Sequence, residues 1–143
     1  MAGRIFRAID CYPHDTATMH PRLDITLYNA AKELWPRGKV LAPIDTGYSG
    51  GVMLPQQEYQ FFMIGELPRR FWIEYTTLAG PLLMKTARAF VRTGDGNELE
   101  ETRVEAPQLG AGKLLAGRMI LKKRGVLLDG PTHISCLMEP QAH

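Results

Sequence analysis

Apolar and polar side chains alternate through Leu23-Asp24-Ile25-Thr26-Leu27-Tyr28, which places Leu23, Ile25 and Leu27 on one face of a strand and the others on its opposite face. Arg4 to Ile9 alternates in the same way and predicts a first strand, ended by Asp10, Pro13, His14 and Asp15. Lys39 to Ile44 predicts a return strand, so that the pair forms a hairpin around a loop from Asn29 to Gly38 that contains Trp35-Pro36. The apolar run Val52-Met53-Leu54 stops at Pro55, and Gln56 to Met63 reads as a short helix with proline at its entry. Phe71 to Tyr75 is rich in aromatic and β-branched residues, and Leu82 to Arg92 follows the turn Leu78-Ala79-Gly80-Pro81, which predicts a long β-hairpin with a small, flexible tip. Thr93 to Asn97 marks the next turn and Thr102 to Ala106 the next strand. Leu114 to Arg118 is a second apolar run meeting glycine, followed by a short helix from Met119 to Arg124 that Gly125 would cap. Val126 to Leu128 and Thr132 to Leu137 complete the strands around Asp129-Gly130-Pro131, and Glu139 to His143 reads as a frayed tail. About seven short strands with one or two short helices predict a mostly-β barrel.

Composition narrows the functional classes. With 143 residues and 45% apolar content, the chain is expected to form one domain that buries its own core. Lys plus Arg (17) against Asp plus Glu (15) leaves a net charge of only +2, with no like-charge run longer than Lys122-Lys123-Arg124, which argues against a nucleic-acid partner. No apolar run is long enough for a membrane span and Met1 to Arg7 lacks a signal-peptide core, so the expectation is a cytoplasmic protein without a membrane partner. Cys11 and Cys136 lack the close spacing of a metal site or disulfide framework and are expected to be buried thiols, although pairing of the terminal strands would bring them together.

The candidate chemistry lies between Leu41 and Pro55. An apolar strand delivers Asp45 to a turn of small residues, Thr46, Gly47, Ser49, Gly50 and Gly51, which supply hydroxyls, exposed N–H groups and free φ angles around one partly desolvated carboxylate. Taken alone, Asp45-Thr46-Gly47 is more often an ordinary Asx turn than an active site.

The order of elements resembles that of the retropepsin-like aspartic proteases: an apolar strand, Asp45-Thr46-Gly47, small residues and an apolar run, then Leu114-Leu115-Ala116-Gly117-Arg118 and a short helix. The resemblance spans residues 22–137, with 1–21 as an N-terminal segment and 138–143 as a tail of a single domain. It implies a retropepsin-like acid-protease barrel in which Asp45 is catalytic and Thr46 and Gly47 support the catalytic loop. Leu115, Gly117 and Arg118 would belong to a ψ-shaped loop threaded behind it. Leu78, Ala79 and Gly80 would form the tip of a flap, and Tyr48 and Ser49 would line the cleft. Two departures stand out: Tyr48 occupies a place where viral members usually carry alanine, and the tip has only Gly80, followed by Pro81.

Peptide hydrolysis of this kind needs two carboxylates sharing one proton, one to activate water and one to polarise the scissile carbonyl. Asp10, Asp15, Asp24, Asp95 and Asp129 stand in no comparable strand–turn setting, so the second carboxylate is expected from a second copy of the chain. The expected protein is therefore a C2 homodimeric aspartic endopeptidase acting on peptide or protein substrates, with no cofactor and no metal. Its dyad would titrate in two macroscopic steps and favour mildly acidic pH. Two other readings stand beside it. One is an inactive dimeric relative that binds peptides because Tyr48 or a rigid flap blocks turnover. The other is a metal hydrolase built on His14, His20, His133 and His143, whose spacing suits no ligand set.

Overall fold

The computed structural model describes residues 6–96, 98–122 and 124–140. Its larger sheet starts from the alternating segment, now β2 (Arg22–Asn29), whose Leu23, Ile25 and Leu27 are fully buried as the alternation requires. β3 (Leu34–Pro43) pairs antiparallel with it from Arg22↔Pro43 to Tyr28↔Leu34, across an irregularity near Tyr28. The expected loop from Asn29 to Gly38 is thus much shorter. Asn29 makes the turn by accepting the N–H groups of Ala31 and Glu33 on its side-chain oxygen, each at 3.0 Å. Trp35-Pro36 lies inside a strand because β3 is the sheet edge, where a proline without an N–H breaks no ladder.

Beyond the turn that carries Asp45 come β4 (Val52–Met53), α1 (Gln56–Tyr59) and a 3-10 segment at Gln60–Gly65, so the helix expected after Pro55 is present but tightens halfway. Tyr59 and Phe62 from these turns are buried in the core beside Trp35, Leu54 and Val104. β5 (Ile73–Thr77) and β6 (Gly80–Thr93) form the expected hairpin from Ile73↔Met84 to Thr77↔Gly80. β7 (Glu100–Pro107) then pairs along β6. β8 (Leu115–Ala116) is followed by α2 (Arg118–Leu121), shorter than the expected helix from Met119 to Arg124, and Gly125 opens a strand instead of capping it. The sheet order is β3-β2-β6-β7-β4-β8, with β5 added to β6.

A second sheet joins the chain's ends. β1 (Phe6–Pro13) pairs antiparallel with β10 (Ile134–Pro140), which pairs in turn with β9 (Gly125–Asp129). The first strand therefore continues past Asp10, through a register shift between Ala8 and Asp10, to Pro13; Arg4 and Ile5 lie outside the described residues. Glu139 belongs to β10 and not to a frayed tail, while residues 141–143 are outside the described range.

This pairing overturns the expectation of two buried thiols. Cys11 and Cys136 are direct cross-strand partners, and their sulfurs form a disulfide between segments 125 positions apart. The alternation of the two terminal strands points both side chains to the same face, a relation that spacing in sequence does not display. Among the described residues no helix is long and apolar enough to cross a membrane. The described residues are thus mostly β, in two sheets with short helical turns.

Candidate active site

Asp45 stands one residue past Ile44, at the point where the chain leaves β3. Its backbone is locked before its side chain is considered: the N–H donates to the Ala116 carbonyl at 2.9 Å, and Ile44 bridges Ala116 in parallel. Ala116 also pairs with Val52 and Leu115 with Met53, antiparallel. β8 therefore runs between the two arms of the 44–53 turn, holding one by a parallel bridge and the other by an antiparallel ladder. The next residues close the arrangement, with Gly117 N–H donating to Gly51 O at 2.8 Å, Arg118 N–H to Tyr48 O at 2.8 Å and Met119 N–H to Gly50 O at 3.1 Å.

The carboxylate of Asp45 accepts the Gly47 N–H at 2.9 Å, and the Asp45 carbonyl accepts the Tyr48 N–H at 3.2 Å. Asp45 is half-buried, whereas Thr46 and Gly47 are exposed at the crest of the turn. The turn thus presents one oriented carboxylate at the molecular surface, with its backbone fixed from behind. Such a group can accept a proton from, or hold, a water molecule at that surface.

Tyr48 does not stand free. Its ring is buried, and its hydroxyl donates to Glu105 Oε1 at 2.7 Å. Tyr75, from β5, donates to the same oxygen at 2.9 Å and lies 3.2 Å from Glu105 Oε2, with the two tyrosine rings 5.8 Å apart. Burial drives the Tyr48 and Tyr75 phenols far above their usual range, reinforced by the Glu105 charge, so both remain neutral donors. Burial also raises the Glu105 carboxyl, and the two phenolic hydrogen bonds and Arg103 only partly oppose it.

That shift has a definite sign in stability. Below about pH 4.3, the ordinary glutamate value, the group is protonated both in the folded and in the unfolded chain. As pH rises, the unfolded chain ionises first, so stability falls until the pH has passed the raised folded-state value of Glu105. Glu105→Gln is expected to remove this component. The stability of the variant relative to wild type should grow from acid toward neutral pH in urea melts, and an unchanging difference would contradict the burial account.

Glycines in the turn are explained by the same packing. A Cβ at Gly50 would lie 2.1 Å from Glu105 Oε1 and 2.5 Å from Tyr48 Oη, and one at Gly117 would lie 2.3 Å from the Gly50 carbonyl and 2.6 Å from Tyr48 Cδ2. Gly117→Ala is expected to cost about 2 to 3 kcal/mol through this overlap, because a backbone oxygen yields less readily than a side chain. A denaturant midpoint within experimental error of wild type would disprove the clash.

The structure brings together Asp45, Thr46, Gly47, Tyr48, Ser49, Leu115, Gly117 and Arg118, the last an exposed residue whose backbone N–H holds the Tyr48 carbonyl. Leu78, Ala79 and Gly80 form the tip of the β5–β6 hairpin. Leu78 is wholly exposed, Gly80 has φ +111°, and Thr77 Oγ1 donates to the Gly80 carbonyl at 2.6 Å. His14 and His133 lie with ring centroids 6.4 Å apart, but among the described residues no three His, Cys, Asp or Glu side chains converge as a metal site would require. Sequence reasoning missed Glu105 and Tyr75. The available signal was a lone charge in the otherwise apolar end of β7, Val104-Glu105-Ala106-Pro107.

Fold and site define a mostly-β protein whose carboxylate turn is threaded from behind by a distant strand. No protein-family model matches the chain, and no curated protein does. Among solved structures it is similar to EIAV protease complexed with the inhibitor HBY-793, at 12% identity and a TM-score of 0.45, over 76% of this chain and 91% of that one. A likeness of that size carries neither fold nor activity by itself.

Proposed function

We propose that the chain is an aspartic endopeptidase of the retropepsin-like kind, active as a homodimer in which Asp45 of each copy supplies one carboxylate of the dyad. The observation that carries this reading is the threading of β8 between the arms of the Asp45 turn. The Ile44 bridge and the backbone hydrogen bonds of Asp45 and residues 117–119 hold a surface carboxylate in a fixed direction, a degree of order that an ordinary Asx turn does not require. Exposure of Thr46 and Gly47 beside the half-buried Asp45 supports the second copy: one chain presents half of a two-carboxylate site, facing outward. Phe6 and Leu127, exposed on one face of the three-stranded sheet, provide apolar surface for such an association.

In this reading the ionised member of the dyad takes the proton of a water molecule while the protonated member donates to the scissile carbonyl. The Gly47 N–H fixes the Asp45 oxygen that faces back into the turn, leaving the other for chemistry. Tyr48, committed to Glu105, shapes the floor beneath the turn. The hairpin β5–β6, tied to that floor through Tyr75, would serve as the flap.

A fluorogenic peptide library, assayed at mildly acidic and neutral pH together with sedimentation of the same sample, tests the proposal. Cleavage that tracks the dimer fraction and is blocked by a transition-state-mimicking aspartic protease inhibitor supports it. A strict monomer at assay concentration overturns it. The expectation of a cytoplasmic location sits against the Cys11–Cys136 bridge, since reducing compartments keep such pairs open. Mass spectrometry of the alkylated chain from its own cells distinguishes the two.

A further inference from the structure

We propose that Glu105 is a positioning residue that fastens the Asp45 turn to the β5–β6 hairpin, making the two one mechanical unit. Its bearing on catalysis rests on the reading of Asp45 as a catalytic carboxylate; the coupling itself does not.

An acid in this place is costly. Glu105 is 1% exposed, in a stretch of β7 that is buried on both faces and flanked at both edges, by β6 (Thr86↔Glu105) and by β4 (Met53↔Glu105). A buried carboxyl group is unfavourable unless hydrogen bonds satisfy it. Here the satisfaction comes from two phenols carried by segments remote from each other in the chain. Tyr48 belongs to the Asp45 turn and Tyr75 to the hairpin, and both donate to one oxygen.

Each tyrosine transmits position to its own segment. The Tyr48 backbone donates to the Asp45 carbonyl and accepts from Arg118, so displacing its ring displaces the peptide units that hold Asp45. That ring lies in space kept open by Gly50 and Gly117, where an added Cβ would meet the Tyr48 ring and, at Gly50, Glu105 Oε1 as well. Tyr75 sits opposite Leu82 in the hairpin ladder, two pairs from the tip pair Thr77↔Gly80, so its anchoring sets where the hairpin leaves the body of the protein. The titratable and charged groups around Glu105 are Tyr48 from the turn, Tyr75 from β5, Arg103 from β7 and Tyr59 from α1. The first two provide hydrogen bonds to the carboxylate, and they come from the two segments to be joined.

Amide hydrogen exchange in the Asp45→Asn chain tests the coupling without any dependence on cleavage. In Tyr75→Phe, which keeps the ring and removes only the donor, exchange in the 45–50 turn is expected to quicken about tenfold, the effect of losing one buried hydrogen bond. Glu105→Leu should quicken both the turn and the 73–80 segment, and Glu105→Gln, whose amide oxygen accepts from both phenols, should restore near-parental rates. Exchange in β1 and β10 serves as the reference and should not change. Unaltered exchange at 45–50 in Tyr75→Phe overturns the proposal even if Glu105→Leu fails to fold. A uniform rise that includes β1 and β10 also overturns it, since that is loss of global stability without coupling. Absence of peptide cleavage by the native chain would refute the protease reading and leave these exchange outcomes as decisive as before.

Discussion

Asp45→Asn is expected to reduce peptide cleavage by about a thousandfold or more while the dimer mass in sedimentation stays the same. The size follows from chemistry: an amide neither accepts the proton of the attacking water nor donates one to the carbonyl, and general acid–base catalysis alone contributes roughly a hundred- to ten-thousandfold. Preservation of the fold follows from geometry. Asparagine keeps a side-chain oxygen able to accept the Gly47 N–H, now received by Asp45 at 2.9 Å, and the backbone bonds to Ala116 and Tyr48 do not involve the side chain. In a dimer the substitution changes both members of the dyad at once. A mixed dimer in which only one copy carries Asp45→Asn should be almost as inactive, because one carboxylate cannot fill both roles. Cleavage persisting in the variant at near-native rate would remove Asp45 from the chemistry and the proposal with it.

Opening the Cys11–Cys136 bridge is expected to lower stability by about 4 to 5 kcal/mol, the loop-closure limit for a link spanning well over a hundred residues. The bridge closes a loop with a sequence separation of 125, nearly the whole chain, so it removes a large share of the conformational freedom of the unfolded state. For a chain of 143 residues this corresponds to a fall in Tm of roughly 13 to 17 °C. Calorimetry with and without a thiol reductant measures it, and Cys11→Ser with Cys136→Ser provides the permanently open form. Equal Tm in both states, or two free thiols titrated in the native protein, would show that the bridge contributes nothing. Because the bridge clamps β1 to β10, its loss should be felt first in the terminal sheet, while the Asp45 turn, held from within the larger sheet, should keep its exchange protection.

Much of the local architecture is legible in the sequence because each element announces itself through short-range chemistry. The alternation through Leu23 to Tyr28 locates a half-buried strand, Pro55 the entry to the helical turns, and Leu78 to Pro81 the tip of a hairpin. The departures share a physical cause. Trp35-Pro36 reads as loop because proline is excluded from inner strands, and only sheet order reveals that β3 lies at an edge. The two cysteines read as thiols because the pairing of the chain's two ends is a contact across nearly the whole sequence, with no local signature.

The site divides in the same way. The chain's own order establishes that Asp45 ends a strand in a turn of small residues, since apolar run, carboxylate and glycines are nearest neighbours and act through the backbone they share. The order of elements also marks Leu114 to Arg118 as a companion segment. How that turn is held emerges only in three dimensions: β8 is inserted between its arms, and Glu105 is joined to Tyr48 and Tyr75 beneath it. Alternation along β7 puts Glu105 on the same face as Arg103, the face a one-sided strand gives to water. Only the packing of the turn and the hairpin over that face turns a surface acid into a buried anchor, because burial is a property of what lies opposite a residue in space and not of its neighbours in sequence.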